Sequence, residues 1–226
     1  MPDTPELGEH REIFAGAVGS FGEYPMPAHD GVPGFRGATE IISSKRLWDR
    51  WREDPKNRID SQIFIRARLF DLWTGNWDRH RSQWRWAWIP DRELWIPIPE
   101  DPDQAFADYS GLVLRMARWQ LPIFQEFKDQ IGGMEGMTMN GADVDRWLLS
   151  DLDREDFERA AREVQAALTD EVIQAGVLKL PPEWYALNGE TLTQRLESRR
   201  DDLLDAADRY YRFLAREVNI HGTHRN

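Results

Sequence analysis

Six of the chain's eleven tryptophans (Trp73, Trp77, Trp84, Trp86, Trp88 and Trp95) fall within residues 73–95. No other feature limits the fold as strongly, because side chains of that size must pack in a core or stack on something flat. In "WRWAWIPDRELWIPI" (84–98) tryptophan recurs at every second residue, Pro90-Asp91 interrupts the run, and Leu94 and Ile96 resume it. That alternation predicts a β-hairpin whose tryptophan face packs on helices, with sugar stacking on the same face as the alternative.

Most of the remaining chain reads as helix. "SSKRLWDRWRED" (43–54) has a serine cap, with Leu47, Trp48 and Trp51 on one face. "DSQIFIRARLFDLWTGN" (60–76) has an aspartate cap, with Ile63, Phe64, Ala67, Phe70 and Trp73 at helical spacing and a stop at Gly75-Asn76. Further helices are predicted at about 110–130, 142–150, 153–168, 170–179 and 191–218. In the last, Leu192, Leu196, Leu203, Ala207, Tyr211, Leu214 and Val218 form one stripe. The expected fold class is mainly α with a small β-hairpin (α+β). An irregular Gly/Pro-rich wrap over 1–40 would precede a single helical domain over 41–218, with residues 219–226 as a tail that reads like the start of a strand.

Composition narrows the function. With 40 acidic and 29 basic residues, a net charge of −11 opposes general nucleic-acid binding. The absence of cysteine removes disulfides, thiolate metal sites and cysteine nucleophiles. "GVPGFRG" lacks the Lys-Ser/Thr of a phosphate loop, no Gly-x-Ser-x-Gly elbow occurs, and the histidines, including His29, His80, His221 and His224, show no zinc spacing. Nothing approaches the roughly 18 apolar residues of a membrane span, and the first residues show no signal peptide. A soluble chain without a visible address is expected.

Two acidic loops flank the predicted hairpin. "TGNWDRH" (74–80) carries Asp78 where a helix ends, and "PEDPDQAF" (99–106) carries Asp101 and Asp103. Phosphoryl transfer suits this order: one carboxylate orients an acceptor hydroxyl and takes its proton, and a second holds Mg²⁺ against the phosphates of a nucleotide such as ATP. Asp78 would be the base, Asp101 with Asp103 the metal ligands, and Gln83 a neutral oxygen contact to metal or nucleotide. His80 would support the loop. The other reading is a helix-end cap with surface ion pairs, followed by an ordinary acidic turn.

"GNWDRHRSQW…EDPDQAFADYS" resembles the catalytic segment of secretory-pathway protein kinases and their atypical-kinase relatives. The resemblance implies a kinase-like C-terminal lobe using ATP and Mg²⁺, with Asp78 catalytic, Asn76, Arg79 and His80 supporting it, and Asp101, five residues before Phe106, on the metal. Relatives carry Asn or Glu where Gln83 stands. A longer stretch, including "LTDEVIQAGVLKLPPEWY" and "SRRDDLLDAADRYYRFLAREVNIHGT", resembles a region of bacterial envelope proteins lying between a metallophosphoesterase and an outer-membrane barrel. That implies a cell-envelope location and neighbouring domains. In that family Arg-Asp-Arg-Asp-Gln-Ala-Phe is usual, and Glu100 and Pro102 replace the two basic residues here. A kinase also needs a β-rich lobe with a phosphate-gripping lysine. Lys45 and Lys56, in or beside a short predicted helix, do not supply it, so only weak nucleotide binding is expected of this chain alone. The alternative function is a non-catalytic structural or interaction domain of an envelope protein, with the phosphate acceptor unnamed in either case.

Overall fold

The computed structural model describes residues 24–117, 120–123 and 125–217. The first 23 residues of the expected wrap, Val218, and the 219–226 tail with His221 and His224 lie outside them. The fold is mainly helical with one small antiparallel sheet: β1 (Glu40–Ser43), β2 (Trp84–Ile89) and β3 (Leu94–Pro99), in the order β1-β2-β3. The helices are α1 (Ser44–Glu53), α2 (Ser61–Thr74), α3 (Leu112–Ala117), α4 (Met134–Thr138), α5 (Ala142–Leu148), α6 (Arg154–Ala167), α7 (Asp170–Val177), α8 (Pro182–Asp201) and α9 (Leu203–Leu214).

The predicted hairpin is present and turns through Pro90–Arg92. Its partner β1 adds a third strand, pairing Ile42 with Trp86. Its sequence, Glu-Ile-Ile-Ser, does not alternate, so no period of two announces a strand there. Trp84, Trp86 and Trp95 are buried, and Phe64 of α2 packs on Trp84 and Trp86 with ring centroids 4.8 and 5.9 Å apart. Two of the indole N–H groups find acceptors: Trp86 donates to Ser44 Oγ at 2.9 Å and Trp95 to Asn57 Oδ1 at 3.3 Å. The tryptophan face is therefore core. On the opposite face Ala87, Ile89, Ile96 and Ile98 form a second cluster with Ala38 of the N-terminal segment.

Trp95 exchanges backbone bonds with Arg58 and Asp60, so its peptide groups point away from β2. By the period of two, Pro97 and Pro99 face the same open edge and offer it no N–H donor, which blocks pairing with a foreign strand.

Central to the molecule is α2. Asp60 caps it, accepting from Ile63 N at 2.9 Å, and Gly75 ends it with a left-handed φ of +75°. Its buried side chains include Phe64, Ile65, Leu69, Leu72 and Trp73, so it is covered on several sides at once. The expected stripe through Phe70 is corrected: that ring is 47% exposed, because the sheet, α6, α8 and α9 enclose the other faces.

Two further expectations change. Among the described residues of 110–130, helix is confined to Leu112–Ala117. Three arginines of α8 and α9 take the backbone carbonyls of the following loop: Arg195 that of Phe127, Arg199 those of Lys128 and Gln130, and Arg209 those of Ile131 and Gly132. A loop whose carbonyls are satisfied from outside needs no helical ladder. The expected helix at 191–218 starts earlier, at Pro182, and is interrupted at Asp202, whose carboxylate accepts from Ile131 N and Arg209. Its described stripe still faces the core, with Leu196, Leu203, Ala207 and Leu214 buried.

Candidate functional site

The segment after Gly75 is built over a buried chain of alternating charges. Asp71, in the last turn of α2, accepts four bonds: Arg68 and Arg79 Nε on Oδ2, both at 2.9 Å, and on Oδ1 the other Arg79 nitrogen at 2.9 Å and Asn76 Nδ2 at 3.1 Å. Arg68 also grips Asp145 of α5 in a bidentate pair, both contacts at 2.9 Å. All four charged residues are 4% exposed or less. Two arginines and two aspartates cancel, and the bidentate geometry offsets the desolvation that a lone buried ion would suffer. Burial opposes the charged form of Arg68, yet Asp145 and its other neighbours hold its pKa well above the usual arginine value. Tyr210 lies in the same shell, and burial beside the Asp145 carboxylate pushes its phenol well above the ordinary value.

Arg79 connects the two acidic loops. Its guanidinium lies 5.1 Å from the centroid of the Trp84 ring and donates to the backbone carbonyls of Gln83 and Glu100. The Arg79 side chain therefore ties the residue after Asp78 to the residue before Asp101. The far end of the second loop is held too, since Phe106 N donates to Thr74 O at 2.8 Å and the Phe106 ring meets Phe127 edge-on. Between these anchors Asp101 adopts a left-handed φ of +52°, and Asp101 and Asp103 are exposed. Asp103 accepts from Gln104 at 3.0 Å.

Asp78 is half-buried, and Asn140 donates to its Oδ1 at 2.5 Å. The approach of the Asn140 segment depends on Gly141, because a Cβ there would lie 2.5 Å from the Arg79 carbonyl oxygen. Asp143 reaches Arg81 at 3.0 Å and Asp145 completes the charge chain, so the start of α5 grips the loop at several points. The expectation named the supporting residues Asn76, Arg79 and His80. Asn76 and Arg79 are buried in the network, and His80 Nδ1 pairs with Ser82 Oγ at 2.9 Å. Gln83 is 5% exposed, and its side-chain oxygen accepts from His80 N at 3.4 Å.

Sequence reasoning missed Arg68, Asp71, Asn140, Asp145 and Arg199. Arg68 and Asp71 left one signal, opposite charges three residues apart inside an apolar run. Arg199 is buried beneath the same loop and donates to the Leu72 and Trp73 carbonyls, completing the C-terminus of α2. Burial lowers its pKa to about 10, which leaves it charged at neutral pH.

Among the described residues no three His, Asp or Glu side chains come together as a metal-holding group, and no helix is long and apolar enough to cross a membrane. Comparisons of the chain with family models, with curated proteins and with solved structures return no match.

Proposed function

We propose that the chain is a kinase-like lobe for ATP- and Mg²⁺-dependent phosphotransfer, with Asp78 as the base. The observation that carries this reading is the pair of hydrogen bonds that Arg79 donates to the Gln83 and Glu100 carbonyls, which fixes the Asp78 loop against the start of the Asp101 loop. Preorganised carboxylates at one end of a sheet are what transfer between two oxygens requires.

The donor set suits Mg²⁺ better than zinc. Mg²⁺ takes one or two carboxylates and completes its shell with water and phosphate oxygens, and two exposed acids on one loop are donors of that kind. Asp101, with Asp103, would hold the ion, which when bound neutralises charge on the phosphates. Asp78 would accept the acceptor's hydroxyl proton on its carboxylate, oriented by the amide of Asn140. Arg79 is committed to Asp71 and would position the loop without touching phosphate. Gln83, buried under His80, would support the loop before it contacts nucleotide.

A second reading, a non-catalytic structural or interaction domain, draws on that same commitment: the side chains of Asn76, Arg79 and Gln83 bond within the fold. Calorimetric titration with Mg²⁺ and a non-hydrolysable ATP analogue separates the two, alongside a phosphate-transfer assay with ATP. Under the first reading, binding is weak, metal-dependent and lost in Asp101→Asn. Asp78→Asn keeps binding within about twofold and loses whatever transfer the unaltered chain supports. A flat response from the unaltered chain overturns phosphotransfer and leaves the structural reading.

A further inference from the structure

Away from the acidic loops, the ends of α5, α6 and α9 enclose a hollow of about 180 Å³. Its walls are mainly apolar, formed by Leu149, Leu152, Phe157, Tyr211 and Leu214. The polar wall holds two ionisable groups from α5. Asp145 is fully engaged by Arg68 and is part of the core charge chain. Arg146 is not so engaged. Its side chain is only 12% exposed, its Nε is buried with no hydrogen-bond partner, and its guanidinium is steadied 5.4 Å from the Phe213 ring centroid. Its carboxylate neighbour is Glu217, 3.2 Å away and 67% exposed at the rim.

A nearly buried guanidinium is costly unless acceptors meet its terminal nitrogens. A carboxylate that stands mostly in water is a weak partner for it. An apolar hollow with one fixed, under-satisfied cation in its wall matches a ligand with a short hydrocarbon body and one anionic end. We infer that this hollow binds a small monocarboxylate, its apolar part against Leu149, Phe157 and Leu214 and its carboxylate on Arg146 in the place Glu217 now takes. The carboxylate would accept from the terminal guanidinium nitrogens of Arg146, in place of the single contact that Glu217 makes. The site is independent of the phosphotransfer reading and stands or falls without it.

The test is calorimetric titration of the whole 226-residue chain with hexanoate, with acetate and hexanamide as controls. Saturable one-to-one binding of hexanoate is expected, with acetate and hexanamide each at least about tenfold weaker. Arg146→Gln should weaken hexanoate by at least about tenfold, and Ala215→Phe, at the exposed rim, should fill the hollow and remove binding. Glu217→Gln should tighten hexanoate by about threefold, because a competing carboxylate is gone. Should Arg146→Gln fail to fold, the exposed Ala215 and Glu217 variants carry the test. Absence of saturable binding overturns the inference. So does acetate matching hexanoate, which would mean simple ion pairing, or hexanamide matching it, which would mean an apolar hollow indifferent to charge.

Discussion

Asp71, in the last turn of the helix that leads into the first acidic loop, and Asp101, in the second, have opposite surroundings. Asp71 is buried, accepts four hydrogen bonds and touches two arginines. Asp101 is exposed, sits in a left-handed backbone conformation and makes no hydrogen bond to another described residue. Asp78 lies between them, half-buried and held by one neutral amide. An acid wholly committed to the fold cannot also serve a ligand, and an acid left free at a pinned loop can. Commitment separates scaffold from candidate chemistry here.

The largest expected effect comes from removing the committed acid. Asp71→Ala leaves Arg79 without its carboxylate and Arg68 with Asp145 alone, and breaking such a buried pair costs about 3–5 kcal/mol. Urea unfolding should show a much lower midpoint at unchanged slope, with Asp71→Asn, which keeps the shape and two acceptor lone pairs, falling between it and the unaltered chain. A loss under about 1 kcal/mol in Asp71→Ala would mean that Asp71 is no more committed than Asp101. Next is Gly141→Ala, whose new Cβ would press on the Arg79 carbonyl from 2.5 Å. Overpacking of this kind costs about 1–3 kcal/mol and should also move the Asn140 amide away from Asp78, visible as a shift of the Asn140 side-chain resonances.

Much of the scaffold was legible because its signals are local. Ser43 and Asp60 cap α1 and α2 and Gly75 ends α2, each at the predicted place, and the tryptophan alternation set the hairpin and its buried face. What stayed hidden depends on distant partners. The loop after α3 reads as helix until Arg195, Arg199 and Arg209, some 70 residues onward, take its carbonyls. Asn140 meets Asp78 from 62 residues away, and Asp145 meets Arg68 from 77, so neither pairing leaves a periodic trace. The candidate site was legible as two acid loops. That one rests on a buried charge chain and the other on loop anchors alone was not, because burial of charge is decided by tertiary packing.

Asp156 supplies an acid whose main role is local, although Gln62 of α2 also donates to it at 3.2 Å. It accepts from Asp153 N at 3.0 Å while Asp153 accepts from Asp156 N at 2.9 Å, a reciprocal cap at the start of α6. The Asp153 backbone bond, with Arg159 also near, holds its pKa below the ordinary carboxylate value. A lowered acid contributes stability that is complete above about pH 4 and is lost as pH falls through the depressed folded value. Asp156→Ala should therefore cost about 0.5–1 kcal/mol at pH 7, and the gap to the unaltered chain should close under acid. A gap that widens toward low pH would reverse the sign of this assignment.

The smallest stability effect belongs to Asp101, and its smallness is informative. Its backbone φ of +52° is one that asparagine tolerates at least as well as aspartate, so Asp101→Asn removes the charge without adding strain. With no hydrogen bond to another described residue to lose, the free energy of unfolding should stay within about 0.5 kcal/mol of the unaltered chain's. Asp101→Ala should lose more than Asp101→Asn, because alanine pays for the left-handed conformation with nothing in return. If instead Asp101→Asn destabilised the fold as Asp71→Asn does, the exposed acid would be holding structure together. The contrast between a committed and a free carboxylate would then fail, and the phosphotransfer reading would lose its metal ligand with it.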